Sequence, residues 1–165
     1  MSLFFVFLSK AKDIVMSAVT PLDFDDFENK GLLRYLNIDI PLRNMYDFIE
    51  LSRNGIDKKS LLHLAKTIDF DLNELAHVLH LSERTIQRYE LNKKLSTEAS
   101  AKALQLAKLY AKGENIFGDL DRFKNWMEHP NMALATKKPK ELLDTTFGFQ
   151  LLVEELVRIE HGIFA

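Results

Sequence analysis

Between Ser82 and Lys94 the chain reads SERTIQRYELNKK, a stretch dense in side chains that recognise nucleic acid. If a helix opens at Ser82, then Glu83, Arg84, Thr85, Gln87 and Arg88 project away from apolar Ile86. Arginine bonds both acceptors of a guanine edge, glutamine bonds adenine in the same two-pronged way, and threonine bonds a base or a phosphate. One good bidentate pair contributes about 1–3 kcal/mol of discrimination. Lys93 and Lys94 follow, placed to hold the phosphate backbone and fix register without reading sequence. The DNA-binding set is therefore Ser82, Arg84, Thr85, Gln87, Arg88, Lys93 and Lys94. The competing reading is an ordinary helical hairpin with a solvated basic face. Other chemistries find no support. With zero cysteines there is no disulfide scaffold, thiol nucleophile or cysteine-held metal cluster, and the reducing cytoplasm is the natural compartment. His77 and His80 stand three apart, a spacing that suits two metal ligands on one helix face, but no companion ligands complete a site. There is no nucleophile elbow, phosphate-cradling glycine loop or HExxH motif, so no catalytic residue, metal or cofactor is expected.

Residues 72–89, which must hold these side chains, have the pattern of two short helices joined by a tight turn. Ala76 supplies the small residue that lets two helices cross closely. Leu75 and Leu79 form the first helix's apolar stripe, Leu81 sits in the turn, and Ile86 faces inward from the second helix. The turn residue is His80, where glycine would reach positive φ at no cost; histidine tolerates that region better than most. Asp71, Ser82, Ser96 and Asp119 are placed as helix N-caps, and Asp71 with Glu74 has capping-box spacing. Helical periodicity predicts helices at about 22–36, 42–53, 58–68, 72–79, 83–90, 97–112, 119–128, 140–145 and 147–160, with Gly113 closing the long sixth run as a left-handed C′ residue. The fold class is mostly α: a helical N-terminal region, a helix-turn-helix domain and a C-terminal helical domain. The divisions fall at 1–56, 57–113 and 114–165.

The 165 residues carry a formal charge of −2, which argues against nucleic acid until it is resolved along the chain. Residues 1–81 hold 9 Lys/Arg against 12 Asp/Glu, residues 82–112 hold 7 against 3, and residues 113–165 hold 6 against 9. A basic middle lies between acidic flanks, and the excess coincides with the groove-reading stretch. At the N-terminus, the apolar run Leu3–Leu8 is too short for a membrane span and has its lysines on the wrong side for a signal peptide; a short first strand, or an arm packing on the core or on a second copy, fits better. Trp126, the single tryptophan, is expected to anchor the core. Leu152, Leu156 and Ile159 recur at core-facing spacing on the last helix.

Five segments together carry a resemblance: LSERTIQRYE; STEASAKALQLAKLYAKGENIFGD; W-x3-P-N-x-A-L from Trp126; P-x-E-L-L-D-T-x2-G from Pro139; and RIEHGIFA from Arg158. Over about residues 57–165 the chain resembles the Xre/MbcA/ParS-type antitoxins, the DNA-binding halves of type II toxin–antitoxin pairs. The resemblance implies a partner toxin, usually a RES-domain enzyme that consumes NAD, and an operator that the antitoxin binds as a homodimer. It places toxin contacts at Arg158, Glu160, His161, Phe164 and Ala165, and it implies that residues 1–56 assist dimerisation. Where the family often has two glycines after the Ala-Leu pair, this chain has Ala135 and Thr136, so a different loop path is expected there. The alternative from another class is a stand-alone helix-turn-helix transcription regulator whose C-terminal region binds an effector or dimerises.

Overall fold

A computed structural model describes residues 26–40 and 42–162. Its elements are α1 (Asp26–Leu36), α2 (Met45–Asn54), α3 (Lys58–Thr67), α4 (Leu72–Leu79), α5 (Glu83–Arg88), α6 (Thr97–Phe117), α7 (Leu120–Glu128) and α8 (Thr146–Glu160), with 3₁₀ turns at Met132–Leu134 and Pro139–Leu142. Among the described residues extended pairing is limited to isolated bridges, Asp57 with Lys94 and Asn131 with Lys137. The mostly α fold class is what the periodicity predicts. The Leu3–Leu8 run lies outside the described residues.

Local chemistry starts most of these helices. Asp71, Ser82, Ser96 and Asp119 each accept a backbone N–H from the third residue of the helix they precede, as predicted, and Asn44, Asp57 and Thr145 do the same. Such a cap contributes about 1 kcal/mol by satisfying a donor that the helix leaves unpaired.

The 21-residue α6 is the spine. Helices α1, α2, α7 and α8 pack along it, and α4 touches it from the side of the helix-turn-helix. At its centre Tyr110, 1% exposed, meets Tyr35 of α1, Phe70 of the α3–α4 loop and Phe123 of α7 at ring centroid distances of 6.5, 6.0 and 5.1 Å. One ring thus joins the N-terminal helix, the helix-turn-helix and the C-terminal region, and burial pushes its phenol well above the usual range. Trp126 extends the cluster, stacked on Phe123 at 5.7 Å, so it packs with the core as expected. Leu152 and Leu156 are fully buried.

Several boundaries differ from the sequence reading. The second helix starts at Met45, behind the Asn44 cap, rather than at 42. The long helix does not end at Gly113: it runs through to Phe117 and is capped by Gly118 at φ +82°. Gly113 is needed for contact instead, because a Cβ there would sit 2.4 Å from the Phe123 ring. The segment expected as a helix over 140–145 is the 3₁₀ turn Pro139–Leu142. The fifth helix stops at Arg88 rather than near 90, with Tyr89 extended at φ −69°, ψ 138°.

Candidate functional site

Helices α4 and α5 form the tight pair that the spacing predicts. Asp71 Oδ1 accepts from Glu74 N at 2.8 Å while Glu74 Oε2 accepts from Asp71 N at 2.9 Å, a reciprocal box that fixes the start of α4. Leu75, Ala76, Leu79 and Ile86 are buried between the helices and the core. His80 ends α4 in the left-handed region at φ 54°, ψ 39°. Its N–H reaches the His77 carbonyl at 3.2 Å, and Leu81 N–H reaches the Ala76 carbonyl at 2.9 Å, which is Schellman geometry with histidine in the glycine position. The imidazole is occupied as well: Nε2 donates to the Asp144 backbone carbonyl at 2.6 Å. His77 Nε2 lies 3.9 Å from Asp144 Oδ2, so both rings turn toward one residue of the C-terminal segment.

On α5, Arg84, Gln87 and Arg88 are exposed, and Ile86 faces fully inward. Ser82 Oγ accepts from Thr85 N at 3.0 Å, and the two hydroxyls lie 2.7 Å apart, so Ser82 and Thr85 build the helix start. Glu83, the acidic member of this stretch, accepts from Asn73 Nδ2 at 2.9 Å and is thereby tied back to α4. Lys93 and Lys94 are exposed on the following loop. That loop is laced to residues 56–59: Lys58 N donates to the Lys93 carbonyl at 3.0 Å, Lys59 N to Leu91 at 3.0 Å, and Leu95 N to Ile56 at 2.8 Å. An open groove of about 450 Å³ is lined by Arg88, Tyr89, Glu90, Asn92 and Lys93.

The pattern alone does not reveal Lys58. Its ammonium donates to the carbonyls of Gln87 at 3.1 Å and Tyr89 at 2.8 Å, closing the C-terminal end of the six-residue α5. A lysine in the first turn of its own helix is unfavourable to that helix's dipole. That misfit is the signal by which it could have been noticed.

A shared cation helps fasten the C-terminal region to the helix-turn-helix, beside the Lys124–Asp69 ion pair at 2.6 Å. Lys140 Nζ lies 2.6 Å from both Glu74 Oε1 of α4 and Glu128 Oε1 of α7, and 4.5 Å from the Phe70 ring centroid. Burial works to lower its pKa, but the two carboxylates outweigh it and hold the ammonium above its ordinary value. Among the described residues no three or more His, Cys, Asp or Glu side chains gather as metal ligands.

Two family models match this architecture: an antitoxin Xre-like helix-turn-helix domain over residues 47–108, and an antitoxin Xre/MbcA/ParS C-terminal toxin-binding domain over residues 112–162. The chain belongs to the Xre/MbcA/ParS-type antitoxins. No curated protein matches it. The antitoxin therefore pairs a DNA-binding domain with a toxin-binding one, and its family is not one of enzymes. No described helix is long and apolar enough to cross a membrane.

The residues that the resemblance marks for toxin contact are only partly within reach. Arg158 Nη1 is bonded to Glu155 Oε2 at 3.1 Å, Glu160 Oε2 lies 3.5 Å from Lys112 Nζ on α6, and His161 is exposed. Phe164 and Ala165 lie outside the described residues. In the antitoxin's 131–137 loop, Ala135 and Thr136 both take positive φ, 55° and 60°. The loop thus follows a backbone path of the kind glycine favours, without glycine.

Proposed function

We propose that the antitoxin neutralises an NAD-consuming RES-domain toxin by covering its active site, and represses its own operon by binding operator DNA as a homodimer in the cytoplasm. The observation that carries this reading is the free Arg84–Gln87–Arg88 face of a capped α5, set in the same body as a matched toxin-binding region. That match favours an antitoxin over a stand-alone regulator. Residues 57–113 read the operator: Arg84, Thr85, Gln87 and Arg88 enter the major groove from an N-terminus set by Ser82, while Lys93 and Lys94 hold phosphates. A two-fold dimer, assisted by residues 1–56, suits two half-sites about 34–36 Å apart. In residues 114–165, Arg158, Glu160, His161, Phe164 and Ala165 reach the toxin beside its NAD cleft. The antitoxin itself catalyses nothing and uses no cofactor.

The test is a pair of variants read in two assays. Arg84→Ala with Arg88→Ala weakens operator binding at least tenfold in gel shift and flattens sequence preference, while co-expression still protects against the protein encoded by the adjacent open reading frame. Deleting residues 158–165 gives the reverse pattern. Unchanged gel-shift affinity overturns the recognition-helix assignment, and full protection by the truncated chain overturns the tail's role.

A further inference from the structure

Large apolar side chains in water are unusual on a body whose core is otherwise well filled, and α8 carries two on one face. Phe147 is 84% exposed and Leu151 36%. Phe147, Leu151, Glu154 and Arg158 recur at i, i+4, i+7 and i+11, a single stripe along the helix. The opposite face is buried through Phe149, Leu152 and Leu156, so packing fixes which stripe looks outward. We propose that this outward stripe of α8, anchored by Phe147 and Leu151, is the principal surface on which the toxin closes. The proposal rests on the antitoxin reading above and adds a helix-borne anchor to the tail.

The stripe is displayed from a fixed platform. Thr145 Oγ1 accepts from Gly148 N at 3.0 Å. A Cβ at Gly148 would fall 1.8 Å from the Leu142 carbonyl oxygen, so the first turn of α8 is pressed against the Pro139–Leu142 turn with no room to shift. That turn is in turn held through Lys140 to Glu74 and Glu128. A backbone held this way needs no ordering when a partner covers the stripe, so the entropic cost is confined to the side chains themselves.

The occupant follows from position. The whole stripe lies within the matched toxin-binding domain, residues 112–162, and its far end is Arg158, where the proposed tail contacts begin. Of the other exposed apolar side chains among the described residues, Tyr46 and Ile49 on α2 lie outside that domain, and Met132 and Val157 lie inside it but off this stripe. An amphipathic helix offering anchors at this spacing is taken by a groove. The toxin's groove is apolar where it receives Phe147 and Leu151, and polar where it meets Glu154 and Arg158.

The experiment measures binding of the full chain to the purified product of the adjacent open reading frame. Phe147→Ser raises Kd at least tenfold and leaves operator gel shift, helical content and thermal midpoint unchanged, since the ring touches little in the free protein. Phe147→Leu retains most of the affinity, and Tyr46→Ser retains all of it. Wild-type affinity in Phe147→Ser overturns this surface while the antitoxin reading stands. If Phe147→Ser changes only the mass of the free chain by ultracentrifugation, the stripe belongs to a second copy and the proposal falls. If the wild-type chain does not bind at all, both readings fall.

Discussion

Five described non-glycine residues hold positive φ, and two of them, His80 and Ala135, do so in different ways. His80 sits in the left-handed region, but its ring bonds the Asp144 carbonyl, a contact glycine would forfeit. Ala135 makes no such use of its side chain: it holds φ 55° in an exposed turn, where a Cβ costs about 1–2 kcal/mol. Glycine there relieves that cost while adding about 0.4–1 kcal/mol of unfolded-chain entropy to be lost. Ala135→Gly is therefore expected to stabilise the chain by roughly 0.5–1 kcal/mol, and Ala135→Val to destabilise it, both read from the thermal midpoint. Thr136 is a poorer site for this test, because its hydroxyl donates to the Ala135 carbonyl at 2.6 Å.

Helix α5 is six residues long, too short to stand without tertiary support, and that support is distributed. Ser82 closes its N-terminal end, Ile86 packs it inward, and Lys58 closes the far end through two carbonyls. Lys58→Met removes the last of these while keeping the apolar stem. Operator affinity is expected to fall about three- to tenfold, the equivalent of roughly 1 kcal/mol for a part-exposed hydrogen-bonded cation. Salt dependence tells positioning from contact: a lost phosphate contact lowers the salt slope by about one, whereas a misplaced helix weakens specific binding with the slope unchanged. Lys58 is expected to show the second behaviour.

Across the whole molecule, ion pairs tie the reading head to the toxin-binding region at Lys140, between Glu74 and Glu128, and at Lys124, on Asp69, and the His80 ring adds a bond to Asp144. Lys140 is the stronger tie, its side chain 14% exposed between two carboxylates and over the Phe70 ring. Lys140→Met is expected to cost about 1–2 kcal/mol, lowering the thermal midpoint by several degrees and speeding amide exchange over residues 139–145. The pH dependence follows from the raised pKa. The native ammonium binds its proton more tightly than the unfolded one, so its contribution is complete at neutral pH and is lost as pH climbs past 10.5 through the native value. The charge pattern also acts at this scale: the acidic flanks carry Glu74 and Glu128, which hold Lys140, so part of the negative charge that hides the basic middle in the total is used in assembly.

Sequence alone determined what depends on neighbours within a turn or two. Periodicity gave the helices, oxygen-bearing residues before them gave the caps at Asp71, Ser82, Ser96 and Asp119, and the Ala76–Ile86 spacing gave the helix-turn-helix with its exposed Arg84, Gln87 and Arg88. These are local interactions, and local order is written in consecutive residues. What required the tertiary structure was every role set by a residue far along the chain. Gly113 reads as a helix end until Phe123 is found against it, Lys58 reads as a surface lysine until it reaches Gln87 and Tyr89, and Phe147 carries no role in the sequence until α8 is seen to bury its other face. Spacing can say that a side chain lies on a helix face; only packing decides whether that face meets the core, another helix or water.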